Sequence, residues 1–271
     1  TALVQTVPTA QAEAVAQAFK LGREGGRYDS MIRVFMPILK RIPTSAEMAW
    51  FAPEAVRAFL AAGEHDAARP WFQLLRASAA FNNKAKAALD ALMPLARLAA
   101  SPEAREWMVA DLSRWLDTMA DNQRRNERAT LLYSLFDAMN DPVPEKLWDA
   151  LLSGPLRATV VMPNPAVWRR LTMAVPTVAA DKFPEQGQAS GGGTGDGAVE
   201  EASLPAARPP ALKSAPSIGE TVMFSLLALG EGGPQSADPI VLRRVLARLS
   251  EAGLGSEARA LAVEAALGAG L

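Results

Sequence analysis

Helical periodicity broken by glycine is the feature of this sequence that most limits its fold. Three times an apolar helical pattern ends at a glycine, a polar residue follows at the third position, and a second helical pattern begins. The glycines are Gly26, Gly63 and Gly253. Because glycine accepts the left-handed conformation that ends a helix, each stretch predicts two helices joined by a tight turn.

The polar residue at the third position is expected to cap the return helix. It is Asp29, Asp66 or Ser256, and these residue types accept hydrogen bonds from the free N–H groups at a helix start. A small residue two positions further on would let the paired helices pack closely. Met31 departs from that rule in the first unit, because it is large.

The stretch 26–43, "GRYDSMIRVFMPILKRIP", resembles the turn and second helix of a tetratricopeptide repeat, G-x-Y-x-x-A with an acidic cap. Gly26 and Gly63 lie 37 residues apart, close to that family's period of about 34 residues. The resemblance covers three degenerate helix-turn-helix units and implies an irregular α-solenoid of antiparallel helical hairpins. Met31 and Pro53 depart from the pattern, and Pro53 predicts that the first helix of the second unit is divided into two pieces.

Composition divides the chain into three parts. Residues 1–180 are predicted to form a helical-repeat domain, and the alanine- and leucine-rich periods there predict an all-α fold. Residues 181–216 are rich in Gly, Pro and Ala, so we expect a disordered linker. Residues 217–271 are predicted to be a C-terminal helical unit, either a separate hairpin or the last piece of the solenoid.

Several classes of site are excluded or disfavoured by composition. The chain has no cysteine, which excludes disulfides, thiolate zinc sites and iron–sulfur clusters. Its net charge of -1 gives no basic field for a polyanion. The apolar run 222–230 is far shorter than the roughly 20 residues of a membrane helix, so no transmembrane segment is expected. The chain begins at Thr1, so we expect a processed chain or a piece of a longer protein, and bacterial cytoplasm and periplasm both stay open as its compartment.

Residues that could carry catalysis have simpler explanations. His65 is the only histidine and lies in a predicted turn, where a surface position is expected. "SGGGTGDG" at 190–197 lacks the Gly-Lys-Ser/Thr ending of a phosphate loop. Glu103 and Glu106 belong to a predicted helix start, where negative charge is favourable. We therefore expect no catalytic residue, no metal and no cofactor.

The resemblance implies a peptide-binding surface. In tetratricopeptide arrays the first helix of each unit lines the concave face, which would place Lys20, Arg23, Arg57 and Arg243 there. Such a face would hold an extended acidic or carboxylate-ended peptide. The competing interpretation is that these four are ordinary solvated cations.

The sequence favours a non-catalytic protein-binding adaptor or assembly scaffold. One alternative is a helical accessory domain of a larger, cell-wall-acting enzyme. Another is a helical-repeat RNA-binding protein, suggested by the basic run "QRRNER" at 123–128. The partner and the oligomeric state are not predicted.

Overall fold

A computed structural model describes residues 7–100, 109–119, 124–153, 160–173 and 217–271. These residues form twelve α-helices and one short 3-10 helix, and no strand occurs among them, so the prediction of an all-α fold is confirmed. The helices are α1 (Pro8–Glu24), α2 (Tyr28–Leu39), η1 (Ala46–Met48), α3 (Ala52–Ala61), α4 (His65–Ala79), α5 (Asn83–Ala99), α6 (Val109–Asp117), α7 (Arg125–Ala138), α8 (Glu145–Leu152), α9 (Pro165–Thr172), α10 (Ile218–Leu229), α11 (Pro239–Glu251) and α12 (Gly255–Gly268). The predicted linker 181–216 lies outside the described residues, so the three-part division stays a prediction.

The three glycine turns share one backbone geometry. Gly26, Gly63 and Gly253 have φ values of 65°, 72° and 83°, as the left-handed helix end requires. In each turn the next residue donates its N–H to a carbonyl five residues earlier, the outer bond of a Schellman motif. These bonds are Arg27 to Gly22 at 2.7 Å, Glu64 to Phe59 at 2.9 Å and Leu254 to Leu249 at 2.9 Å. The prediction that glycine turns the chain is confirmed.

The predicted caps are wrong. α2, α4 and α12 begin two residues after the glycine, so Asp29, Asp66 and Ser256 are the second residue of each helix. None of these helices has a side-chain cap bond. The Schellman turn needs only one linking residue after the glycine, so each helix starts two positions earlier than the sequence pattern suggests. Asp29 and Asp66 still lie in the first turn, where the helix dipole favours an acid.

The large Met31 is accommodated by a small residue on the facing helix. A Cβ built on Gly22 would lie 2.9 Å from Met31 Cγ, so these two positions pack directly against each other. In the second unit the equivalent positions hold Phe59 and Ala68, both buried. In the first unit the small residue is therefore on the first helix and the large one on the second, and in the second unit the arrangement is reversed.

Pro53 divides the start of the second unit as predicted. η1 ends at Met48, and α3 begins at Ala52 with Pro53 in its first turn, where a missing N–H is tolerated. Pro37 lies inside α2.

The helices pack in chain order at first and then return. α1 contacts α2, α3 contacts α4, and α4 contacts α5. The last helices pack against earlier ones: α11 against α7, and α12 against α5 and α3. α12 makes this approach with small buried residues. These are Ala258, Ala262, Ala265 and Ala266.

Polar contacts connect the segment 160–173, which contains α9, to α11 and to the residue before it, Asp238. Asp238 is buried and its carboxylate accepts from the N–H of Ile240 at 3.1 Å and of Val161 at 3.3 Å. Arg244 Nε donates to the Leu171 carbonyl at 2.6 Å. Both ends of this segment are therefore held on one helix.

Candidate functional site

Two of the four predicted partner-binding cations meet at one carboxylate. Arg23 on α1 makes a two-pronged contact with Glu54 on α3, with Nη1–Oε2 at 2.5 Å and Nη2–Oε1 at 3.1 Å. Arg57 Nη1 reaches the same carboxylate at 3.2 Å. Glu54 therefore offsets part of the positive charge that the sequence placed on this face.

An aromatic side chain completes this cluster. The Arg23 guanidinium lies over the Tyr28 ring, 5.4 Å from its centroid. Burial opposes the charge of Arg23, but the hydrogen bond and attraction of Glu54 outweigh it, so the pKa of Arg23 is raised. Burial, and then the charge of Glu54, raise the pKa of Tyr28 well above its usual range.

The other two predicted residues, Lys20 and Arg243, do not contact the carboxylate of Glu54. Lys20 is exposed on α1. Arg243 on α11 pairs with Asp137 on α7, with Nη2–Oδ2 at 3.2 Å. The structure thus brings Arg23 and Arg57 together and places Arg243 in a different ion pair. A partner-binding role for these four residues stays a prediction.

A groove between α3, α4 and α5 was not predicted. It has a volume of about 510 Å³. Its floor is apolar, with Val56, Leu60 and Ala68 buried and Phe72 half-buried. The remaining lining residues are His65, Arg69, Gln73, Arg76, Ala96, Ala99 and Ala100.

One wall of this groove is cationic. Arg69 follows His65 by four residues, and Arg76 follows Arg69 by seven. The three side chains therefore project from one side of α4. Arg69 contacts the almost fully exposed Asp66 at 3.5 Å, a contact that water screens. Within the part of the chain that the structure describes, no ion pair involves Arg76. The wall therefore presents two guanidinium groups and an imidazole above an apolar floor.

A second groove has acidic walls. It encloses about 450 Å³ between α2, α3 and α12, and Asp29, Arg33 and Glu264 line it. Burial raises the pKa of the Glu264 carboxyl, the charge of Asp29 raises it further, and Arg33 opposes both. The sequence pattern missed this groove because α12 comes from the far end of the chain.

Neither a metal site nor a membrane-spanning helix is found among the described residues. In the described ranges, no group of three or more His, Asp or Glu side chains is placed to hold a metal ion. Across the same ranges, each helix is too short or too polar to cross a bilayer.

Comparison with known proteins adds no relative. No protein-family model, no curated protein and no solved structure gives a significant match to this chain. Fold and surface therefore define its class by themselves: an all-α protein with glycine-turned helix pairs and open grooves between them.

Proposed function

We propose that this chain is a non-catalytic protein-binding adaptor or assembly scaffold. The observation that carries the proposal is the α3–α4–α5 groove, with its apolar floor and its cationic wall. An amphipathic helix binds such a groove by inserting apolar side chains every three or four residues. The partner segment would carry acidic residues on the side that faces His65, Arg69 and Arg76.

The groove would take only part of this partner, because its volume is about 510 Å³. It would hold a few side chains, while the rest of the bound segment would extend along α4. Carboxylates above the arginines would supply orientation and specificity, because guanidinium groups bind them with two parallel hydrogen bonds.

The finer fold prediction belongs to the same proposal. Repeated Schellman turns and chain-order packing through α5 support a tetratricopeptide-like solenoid in this part of the chain. Lys20, Arg23, Arg57 and Arg243 would then form a second contact surface for an extended acidic peptide. Glu54 would have to be displaced or bridged for Arg23 and Arg57 to take part.

Site-specific crosslinking tests the groove. A photoreactive amino acid replaces Gln73, an exposed lining residue, and crosslinked partners are identified from cells that produce the chain. A synthetic peptide with the crosslinked partner sequence is then titrated against the purified chain. We expect the variant with Arg69→Glu and Arg76→Glu to bind that peptide at least about tenfold more weakly, a difference of about 1.4 kcal/mol.

Arg41→Glu is the matched control, because Arg41 is exposed and does not line the groove. It should leave the affinity within about twofold, less than about 0.5 kcal/mol. Equal effects of both variants would mean that the charge effect is general and not specific to the groove. A crosslink that forms with RNA instead of protein would replace the proposal with the RNA-binding alternative.

A further inference from the structure

α10 is an almost wholly apolar helix that turns several of its large side chains outward. Its buried residues include Thr221 and Ser225, which are 4% and 3% exposed. Phe224 and Leu229 pack against the core, but the other five large apolar side chains point away from the protein and are between 37% and 63% exposed. They are Ile218, Val222, Met223, Leu226 and Leu227. A helix on the surface of a monomer normally has the opposite arrangement.

The exposed residues form one continuous face. At 100° per residue, Ile218, Val222 and Leu226 follow one another along the helix, with Met223 and Leu227 beside them, over about half of the circumference. Glu220 is the only charged residue of α10, and its carboxylate accepts a hydrogen bond from the Ser217 N–H in a capping box at the helix start. We call these five exposed residues the α10 face.

The inward side of α10 explains why the helix keeps this orientation about its axis. α10 contacts α9 and α11, with Ala228 and Leu229 buried near its end. The buried Ser225 hydroxyl has no hydrogen-bond partner among the described residues. Burying small polar residues and exposing large apolar ones is unfavourable for an isolated chain, since each exposed methylene forgoes about 0.8 kcal/mol of burial. A covering surface would recover this free energy.

We propose that the α10 face is the dimer interface of this protein and that a second copy of the chain covers it. The five side chains present roughly 500 Å² of apolar surface, near the upper end of the largest patch of a typical monomer, about 300–600 Å². Exposed apolar residues also occur on the segments around α10, and the proposed interface would include them to reach the order of 1,000 Å², against about 800 Å² per partner in a standard interface. They are Val160, Val161, Met162, Met173 and Ile240.

The absence of charge from the α10 face favours self-association. An interface around a twofold axis brings a patch against its own copy, so a patch with a net charge of one sign would repel that copy. The α10 face carries none, and interfaces between identical subunits are the most apolar class. Two α10 helices of about 18 Å each would pack side by side across the axis. The inference is independent of the α3–α4–α5 groove, which lies on other helices.

The test is the mass of the full chain in solution. Sedimentation equilibrium should give twice the chain mass of 28.8 kDa, with dissociation on dilution into the micromolar range or below, as interfaces of this size do. Met223→Glu with Leu226→Glu should shift the chain to monomer, and so should Met223→Arg with Leu226→Arg. A mixture of the two variants should regain the dimer mass, because opposite charges then meet across the interface.

Phe81→Glu is the matched control, since Phe81 is 96% exposed and lies outside the α10 face. It should stay dimeric, and circular dichroism should show native helix content in every variant. A monomeric wild-type chain would overturn the proposal. Binding of that monomer to phosphatidylcholine vesicles would assign the α10 face to a lipid surface. If the wild-type chain is monomeric, a loss of melting temperature in both charge variants would assign the α10 face to another part of the same chain.

Discussion

Arg97 and Asp141 form a two-pronged ion pair with both side chains about nine-tenths buried. Arg97 Nε donates to Oδ2 at 2.7 Å, and Nη2 donates to Oδ1 at 2.6 Å. The pair joins α5 to the turn after α7, where Asn140 has a φ of 54° and the Asp141 N–H donates to the Phe136 carbonyl. A buried pair of this kind is costly to break from one side, because the remaining charge loses its partner.

Asp141→Asn should therefore lower the free energy of unfolding by about 3–5 kcal/mol. Urea denaturation measures this. Glu127→Gln is the control, because Glu127 forms an exposed pair with Arg124 and should change stability by less than about 1 kcal/mol. Similar losses in the two variants would show that the Arg97–Asp141 pair contributes no more to stability than an exposed ion pair.

Alanine substitutions at Gly253 and Gly255, in the turn between α11 and α12, should change the stability of the protein in opposite directions. Gly253 has a φ of 83° and no atom within 4 Å of a built Cβ, so Gly253→Ala should cost about 1 kcal/mol from backbone strain alone. Gly255 is the first residue of α12 and is equally uncrowded, so Gly255→Ala should stabilise by about 0.4–1 kcal/mol. Melting temperatures of the two variants should lie on either side of the native value. Equal shifts in one direction would contradict the assigned turn.

The Gly22–Met31 contact predicts strong coupling between these positions. Gly22→Ala should clash with Met31 Cγ at 2.9 Å. In a Met31→Ala background the nearest atom is the Cβ at position 31, at 3.3 Å, so the clash is largely relieved and the added methyl also favours the helix. A double-mutant cycle by urea denaturation should give a coupling free energy of about 1 kcal/mol or more. Additive effects would mean that the two helices separate readily at this turn.

The two tyrosines of the chain should both titrate late. Burial raises the pKa of Tyr133 to about 12, and that of Tyr28 is raised further. An unfolded tyrosine loses its proton near pH 10, so the folded state binds more protons above that pH. The stability contributed by each phenol is thus complete below about pH 10 and falls as the pH rises through the folded pKa.

Tyrosinate absorbance against pH gives the measurement. The urea-unfolded chain should titrate near about pH 10, and the folded chain only at clearly higher pH. Tyr133→Phe should remove the earlier of the two folded steps. A folded titration that overlaps the unfolded one would show that the phenols are open to water.

Local features of this fold could be predicted from the sequence, and features made by distant segments could not. The glycine turns were predictable because φ at Gly26 is decided by its own missing side chain. The predicted caps were wrong by two residues, because the pattern does not fix how many residues a turn uses. The α3–α4–α5 groove escaped prediction, although the spacing of His65, Arg69 and Arg76 on one side of α4 was a usable signal.

α10 illustrates a different limit. Its sequence is apolar nearly throughout, so periodicity alone does not say which side faces inward. That choice is made by α9 and α11, which accept the small side of the helix around Thr221 and Ser225. For this reason the outward side of α10 could not be predicted from the sequence.

The return of α12 to α3 and α5 has a consequence for synthesis. A chain that grows from its first residue can pair α1 with α2 and α3 with α4 early, because those contacts are local. The apolar sides of α3 and α5 that α12 covers stay exposed to water until α12 is made. Completion of the core is therefore a late event of long sequence separation, and a nascent chain stalled before Gly255 would present this surface to chaperones and to proteases.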